Sequence, residues 1–289
     1  MPQFWKAIIP SKDVGASVAN PPWTAVEEPI WALVCGWSSI SDRRNRWIVA
    51  LQGIFDDSGS SQRDTTFALA GFIGRVEAWA QVANAWQAVL DRSPKLDYFK
   101  MHEAFRRSGQ FAGWTETAVQ SRLMDFVEII RNGGLIRVHC TMYRADYNAA
   151  LKGKAKPSVD DPYFPCFYQV LFAVLKFQTD NNWTDKVDFI FDEQGAIGFE
   201  SQRWYADFKK AFPVEVSKYL SGPPIFRDDE RFLPLQAADL YAGQIKEFTR
   251  LNRVVISPPS TAMKALKGVL GLERHLTKND IRGSLVVLR

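Results

Sequence analysis

Two apolar runs far apart in the chain, residues 47–56 (WIVALQGIFD) and 187–192 (VDFIFD), each close on a pair of acids: Asp56 and Asp57 in the first, Asp192 and Glu193 in the second. A strand whose two alternating sets of side chains are both apolar must be covered on both faces. The covers are normally helices, so the chain is expected to fold as layers around a central sheet. A third acid, Asp239, interrupts the stretch PLQAADLYAGQI, where Leu235, Ala238, Ala242 and Ile245 recur at helical spacing. Asp239 lies at the edge of that stripe, with Gln236 and Gly243 as helical neighbours. Carboxylates crowded by apolar groups or by one another need a partner charge. Two of them about 4 Å apart repel by roughly 4 kcal/mol at an effective dielectric of 20, and a divalent cation of the Mg2+ or Mn2+ kind relieves that repulsion with oxygen ligands. Each acid also has a plainer explanation. Asp56-Asp57-Ser58-Gly59 and Asp192-Glu193-Gln194-Gly195 are turn-forming strings, and Asp239 can be a surface aspartate beside the apolar stripe.

The chain has 289 residues, enough for one large domain or two small ones. Hydrophobic residues at 46% and charged residues at 24% describe a globular protein and exclude a disordered one. With 36 basic against 32 acidic residues the formal charge is only +4, so any nucleic-acid binding has to come from local features. Cys35, Cys140 and Cys166 are too widely spaced for a zinc knuckle, and their odd number argues against a disulfide framework. A reducing cytoplasm is the expected setting. The start of the chain lacks the apolar core of a signal peptide, and WALVCGW is too short to span a bilayer, so neither secretion nor membrane insertion is expected.

Residues 1–45 read as a Pro- and Trp-rich extension and residues 46–289 as the main domain, with a helical and strand extension at its C-terminal end. Trp5, Trp23, Trp31 and Trp37 of the extension are costly to leave in water, so they are expected against the domain, across a homodimer interface or on a protein partner. After the first strand, GSSQRD forms a hairpin loop and residues 67–73 return beside it. Helices are expected over 77–90 and 115–130, the second ended by Gly133-Gly134. In LIRVHCTMY, Ile136, Val138, Cys140 and Met142 alternate with Arg137, His139 and Thr141, the pattern of a half-buried strand. A basic loop with Lys152, Lys154 and Lys156 leads to a buried helix over 163–177, the strand ending at Asp192, and a helix over 198–212. A brief strand at 214–216, the Asp239 helix over 235–251, a short helix through Ala262, Leu266, Val269 and Leu270, and an edge strand in SLVVL complete the expectation. His275 lies in LERHLTKND, which reads as a helix end.

The order of these motifs, GIFDDSG, FALAGFI, a Trp-bearing helix, YFKMHEAF, FIFDEQG and PLQAADLYAG, resembles the bacterial family known as domain of unknown function 3800. The resemblance covers about residues 49–251, and its closing motif, Gln236-Ala237-Ala238-Asp239-Leu240, is the more specific. The opening motif departs from the family pattern, because Asp57 stands where a Glu is usual. The resemblance implies a ribonuclease H-like α/β fold, a mixed central sheet flanked by helices. It further implies a metal site in which Asp56 bridges ions and Asp192 and Asp239 are the other ligands, with Asp57 and Glu193 as second choices. His102, in YFKMHEAF, is implied near the metal site, where an imidazole can orient water, move a proton or hold a phosphate oxygen. Neighbouring strand residues point to opposite faces, so Asp57 and Glu193 can join only where their strands bend or have ended.

The function expected is divalent-metal-dependent cleavage of phosphodiester bonds in DNA or RNA, since clustered carboxylates can hold ions that polarise water and clamp a leaving oxygen. The alternative is a catalytically silent ribonuclease H-like module that binds nucleic acid or protein. Arg227, Arg231, Lys246 and the three loop lysines are candidate phosphate contacts. A glycosidase would use two carboxyls in an aromatic sugar groove, and three or more acids together favour metal chemistry instead.

Overall fold

The structure, a computed structural model, describes residues 24–35, 51–193, 195–253 and 257–284. Its centre is a six-stranded mixed sheet. The strands are β1 (Leu51–Ser58), β2 (Thr66–Arg75), β3 (Ile136–Tyr143), β4 (Val187–Asp192), β5 (Ile225–Arg227) and β6 (Gly271–Leu276), in the spatial order β5-β4-β1-β2-β3-β6. β1, β2 and β3 form an antiparallel meander, while β4 joins β1, β5 joins β4 and β6 joins β3 in parallel.

Both faces of the sheet are covered, as the unbroken apolar runs require. One face carries the helices α2 (Val76–Leu90), α4 (Glu116–Asn132), α9 (Leu233–Leu251) and α10 (Thr261–Leu266), packed around Ile54, Phe72, Trp79, Trp86 and Ile190. The other carries α5 (Arg144–Ala150), α6 (Tyr163–Asp180), α7 (Ala196–Lys210) and α11 (Lys278–Ser284) around Phe55, Phe67, Phe167 and Phe191. The short helices α3 (Met101–Arg106) and α8 (Val214–Ser217) lie in connections. α1 (Glu28–Cys35) packs its fully buried Ile30 into the first of these cores, and Thr24 at its entry donates to Asn84 of α2 at 2.8 Å.

Several expectations change. β3 is buried along both faces rather than half-buried, because Tyr241 of α9 lies against Arg137 and His139 while the Thr141 hydroxyl is 2.9 Å from His275 Nδ1 on β6. The guanidinium of Arg137 donates to the Val269 carbonyl at 2.9 Å and to the Tyr241 hydroxyl at 3.2 Å, and pairs with Glu273, which is how a buried charge is tolerated. Residues 214–217 are helical, not a strand: four residues of alternating apolar character are too few to distinguish the two. The C-terminal helix stops at Leu266, and the edge strand that follows is 271–276, which includes His275. The expected strand SLVVL lies almost wholly outside the described residues, with Ser284 ending α11. Trp5, Trp23 and Trp37 also lie outside them, whereas Trp31 is half-buried against the core. Among the described residues, no helix is long and apolar enough to cross a membrane.

Candidate functional site

The site is set up by a register. Ile54 of β1 is paired with Ile190 of β4, and Ile190 with Ile225 of β5; Phe55, Phe191 and Phe226 make the next rung. Successive residues alternate between faces. The isoleucines therefore face α9, while the three phenylalanine rings stack on the other side, with centroids 5.6 Å and 6.1 Å apart. The residues that follow the phenylalanines on β1 and β4 are Asp56 and Asp192, so alternation returns both to the α9 side, at the carboxyl ends of adjacent parallel strands. In open α/β sheets that edge is where ligands gather.

β5 carries Arg227 at the next position, and the acids come later, in the turn to α9. Asp228 and Asp229 divide the work there. The Asp228 carboxylate accepts from Glu230 N–H at 3.0 Å, its carbonyl accepts from Phe232 N–H at 3.0 Å, and it pairs with Arg231 at 3.6 Å. Asp229 is turned inward and is only 4% exposed. Carboxylate oxygens of Asp56, Asp192 and Asp229 all lie within 4.8 Å of one another, a spacing that can hold a metal ion. Asp229 was not singled out from the sequence. Its signal was there: IFDD and IFDE follow Ile-Phe directly with two acids, and IFRDD does so after one arginine.

Gln236, one turn into α9, holds this arrangement from behind. Its side-chain oxygen accepts from Trp86 Nε1 at 3.0 Å and from Phe99 N–H at 3.1 Å, and its amide nitrogen donates to the Asp229 carbonyl at 2.9 Å. All three amide contacts are buried and directional, which ties α2, the segment before α3 and the Asp229 turn to one side chain. Asp239 is placed beside the cluster by the same helix. Its Oδ2 accepts from Met101 N–H, the first residue of α3, at 2.6 Å.

Electrostatics mark the group as strained. Burial pushes the Asp56 carboxyl well above the usual range, and the charges of Asp239, Asp57, Asp192 and Asp229 add to it. Burial raises Asp239 to about 7; Met101 N–H works against this and Asp229 reinforces it. Asp192 is pushed up to about 6 by burial and then by Asp229. Opposite them stands Lys100, whose Nζ is 2.5 Å from Asp229. Burial lowers its affinity for a proton, but the hydrogen bond and charge of Asp229 outweigh this and leave it raised. Its ammonium thus faces the carboxylates of Asp192, Asp229 and Asp239.

The remaining candidates lie elsewhere. β1 continues to Ser58, so Asp57 projects to the face opposite Asp56, where its carboxylate accepts from Ser60 Oγ. Glu193 is exposed just beyond β4, its N–H bonded to the Arg227 carbonyl at 3.1 Å. His102 is exposed on α3 and lines a cavity with Asp239 and Lys246. Of the candidate phosphate contacts, Lys246 pairs with Asp64 at 3.5 Å and Arg231 with Asp228, Lys154 donates to the Ala149 carbonyl at 2.6 Å, and Arg227 is exposed beside Asp192. No protein-family model, curated protein or solved structure matches the chain.

Proposed function

We propose that the chain is a divalent-metal-dependent phosphodiesterase acting on nucleic acid, built on a ribonuclease H-like sheet. The observation that carries the reading is the convergence within 4.8 Å of oxygens from Asp56 and Asp192, on adjacent parallel strands, and Asp229, in the turn after a third. The donor set fits a hard cation: it is all oxygen, partly buried and net negative after Lys100 is counted. Asp56, Asp192 and Asp229 would hold Mg2+ or Mn2+, which when bound polarises a phosphoryl oxygen and lowers the pKa of water. The arrangement of an antiparallel meander extended in parallel from its first strand supports the ribonuclease H-like reading, as does the resemblance to the domain of unknown function 3800 family.

The residues around the acids have roles of their own. Asp239, held beside the three acids by Met101 N–H, can serve as acid or base toward water in the site. Gln236 and Met101 N–H fix the Asp229 turn and the Asp239 carboxylate, so that the acids need not reorganise when a substrate arrives. A second reading, a silent binding module, is favoured by the Lys100–Asp229 ion pair, since an ammonium at a carboxylate cluster supplies part of what a cation would.

Cleavage of single- and double-stranded DNA and RNA, measured with Mn2+ and with EDTA, decides between the two. Asp56→Asn is expected to abolish Mn2+-dependent cleavage and Asp57→Asn, on the other face of the sheet, to keep most of it. No cleavage of any of the four substrates by the wild-type chain would leave the silent module standing.

A further inference from the structure

On one side the acidic cluster adjoins a cavity of about 300 Å³ whose wall includes Asp239, Ser58 at the end of β1, His102 and Phe105 from α3, and Lys246 from α9. Resting on the phosphodiesterase reading of the acids, we propose that this cavity takes one unstacked nucleotide of a single-stranded nucleic acid, with the Phe105 ring as its stacking platform and Lys246 as its phosphate contact.

Four observations lead there. Phe105 is 49% exposed, although Met101 and Ala104 of the same short helix are buried, so a large ring is left facing the cavity at a cost in exposed apolar area. Gly243 explains how the ring is held there. A Cβ at that position would stand 2.5 Å from Met101 Cγ and 3.5 Å from Phe105 Cε2, so the missing side chain lets α3 lie directly on α9 and brings the ring to the wall. Lys246 follows Gly243 by three residues, on the same face of α9, and lines the cavity, its ammonium pairing at 3.5 Å with Asp64 outside the lining. Finally, the volume is at the lower end of small-molecule sites, which suits one base with its sugar and excludes a duplex, whose bases stay paired and stacked.

The chemistry separates this site from a general basic groove. A formal charge of +4 gives little long-range attraction to a polyanion, so binding at this cavity should draw on base stacking more than on counterion release. Sequence preference should be weak, because every base offers a π-face.

The test is fluorescence anisotropy with labelled oligo(dT) of roughly a dozen nucleotides, a length within single-strand site sizes, and with the same oligonucleotide paired to oligo(dA), both in EDTA so that binding is read without cleavage. The wild-type chain should bind the single strand more tightly than the duplex. Phe105→Ala should weaken single-strand binding about tenfold and leave duplex binding unchanged, Phe105→Trp should restore it, and Phe199→Ala, removing an exposed ring outside this cavity, should change nothing. The melting temperature of Phe105→Ala is measured alongside to show that the fold is intact. Unchanged single-strand binding by a folded Phe105→Ala protein, equal losses on both probes, or no single-strand binding by the wild-type chain would each overturn the proposal. Mn2+-dependent cleavage by the wild-type chain together with Phe105-independent binding removes the base cavity and keeps the phosphodiesterase. Phe105-dependent binding without cleavage keeps the cavity and removes the catalytic reading.

Discussion

Asp239→Asn removes one charge from the acidic cluster while keeping an oxygen that can accept the Met101 N–H bond. Burial raises the Asp239 carboxyl from 3.8 to about 7, so the folded chain holds a proton there that the unfolded chain has released. The stability this proton supports is fully present below about pH 4 and is lost as pH rises through 7. A displacement of about three pH units corresponds to a ceiling of about 4 kcal/mol above pH 7, at 1.36 kcal/mol per unit. The acids titrate as a group, and Asp239 is the charge that most raises Asp56, so removing one relieves part of the whole. We take half the ceiling, about 2 kcal/mol, which for a chain of this size is a rise in Tm of roughly 3 °C. His139 acts in the opposite direction. Buried and held neutral with a pKa near 4, it loses stability as pH falls from 6.5, but it does so equally in both proteins and cancels from their difference. Metal-free thermal unfolding in EDTA at pH 4 and pH 8 should therefore show the two proteins converging at pH 4 and the variant more stable at pH 8. An Asp239→Asn protein less stable than wild type at pH 8 would refute the claim that the cluster carries unrelieved repulsion.

Gln236→Leu should cost about 3 kcal/mol, since it orphans the buried Trp86 Nε1, the Phe99 N–H and the Asp229 carbonyl, each worth roughly 1–3 kcal/mol unsatisfied but partly able to find water; urea unfolding measures it. The same substitution should weaken Mn2+ affinity by freeing the Asp229 turn, and an unchanged affinity would show that the turn is held by other contacts. Ile30→Ala, in a helix that ends fifteen residues before the sheet begins, should cost about 2–5 kcal/mol because Ile30 is fully buried; a neutral result would show α1 to be a detachable appendage. Gly243→Ala should reduce oligo(dT) binding and lower Tm, since its Cβ would stand 2.5 Å from Met101 Cγ and 3.2 Å from Met101 Cβ, next to the α3 backbone, so that α3 must shift on α9; unchanged binding and Tm would count against α3 lying close on α9.

The layered α/β architecture and most helices were legible because they rest on strong period signals: α2 and α6 each bury an apolar face that recurs at helical spacing. β1 and β4 were legible as covered strands, but their shared register was not, because nothing in one strand alone says which partner it takes. The Ile-Phe rung that aligns β1, β4 and β5 became meaningful only once the strands were adjacent. Asp229 was missed for that reason: in IFRDDERF it stands among charged residues and reads as a solvated turn. β3 misled in the other direction. Arg137, His139 and Thr141 have the look of a solvent-facing set, and only the Tyr241 hydroxyl, 2.6 Å from His139 Nδ1, and the 269–273 segment reveal why they can be buried. Short elements such as 214–217 carry too few residues for any period to be read.

Electron paramagnetic resonance of Mn2+ titrated into the metal-free chain reads ligation by the carboxylates without depending on substrate or turnover. The wild-type chain is expected to quench the free-ion signal with saturation, and Asp56→Asn and Asp229→Asn are each expected to weaken that binding at least tenfold, because each replaces by a neutral amide one of the three carboxylates whose oxygens converge within 4.8 Å. A wild-type chain that leaves the free Mn2+ signal intact at millimolar concentration, or binding that survives both substitutions unchanged, would contradict the assignment of this cluster as a metal site.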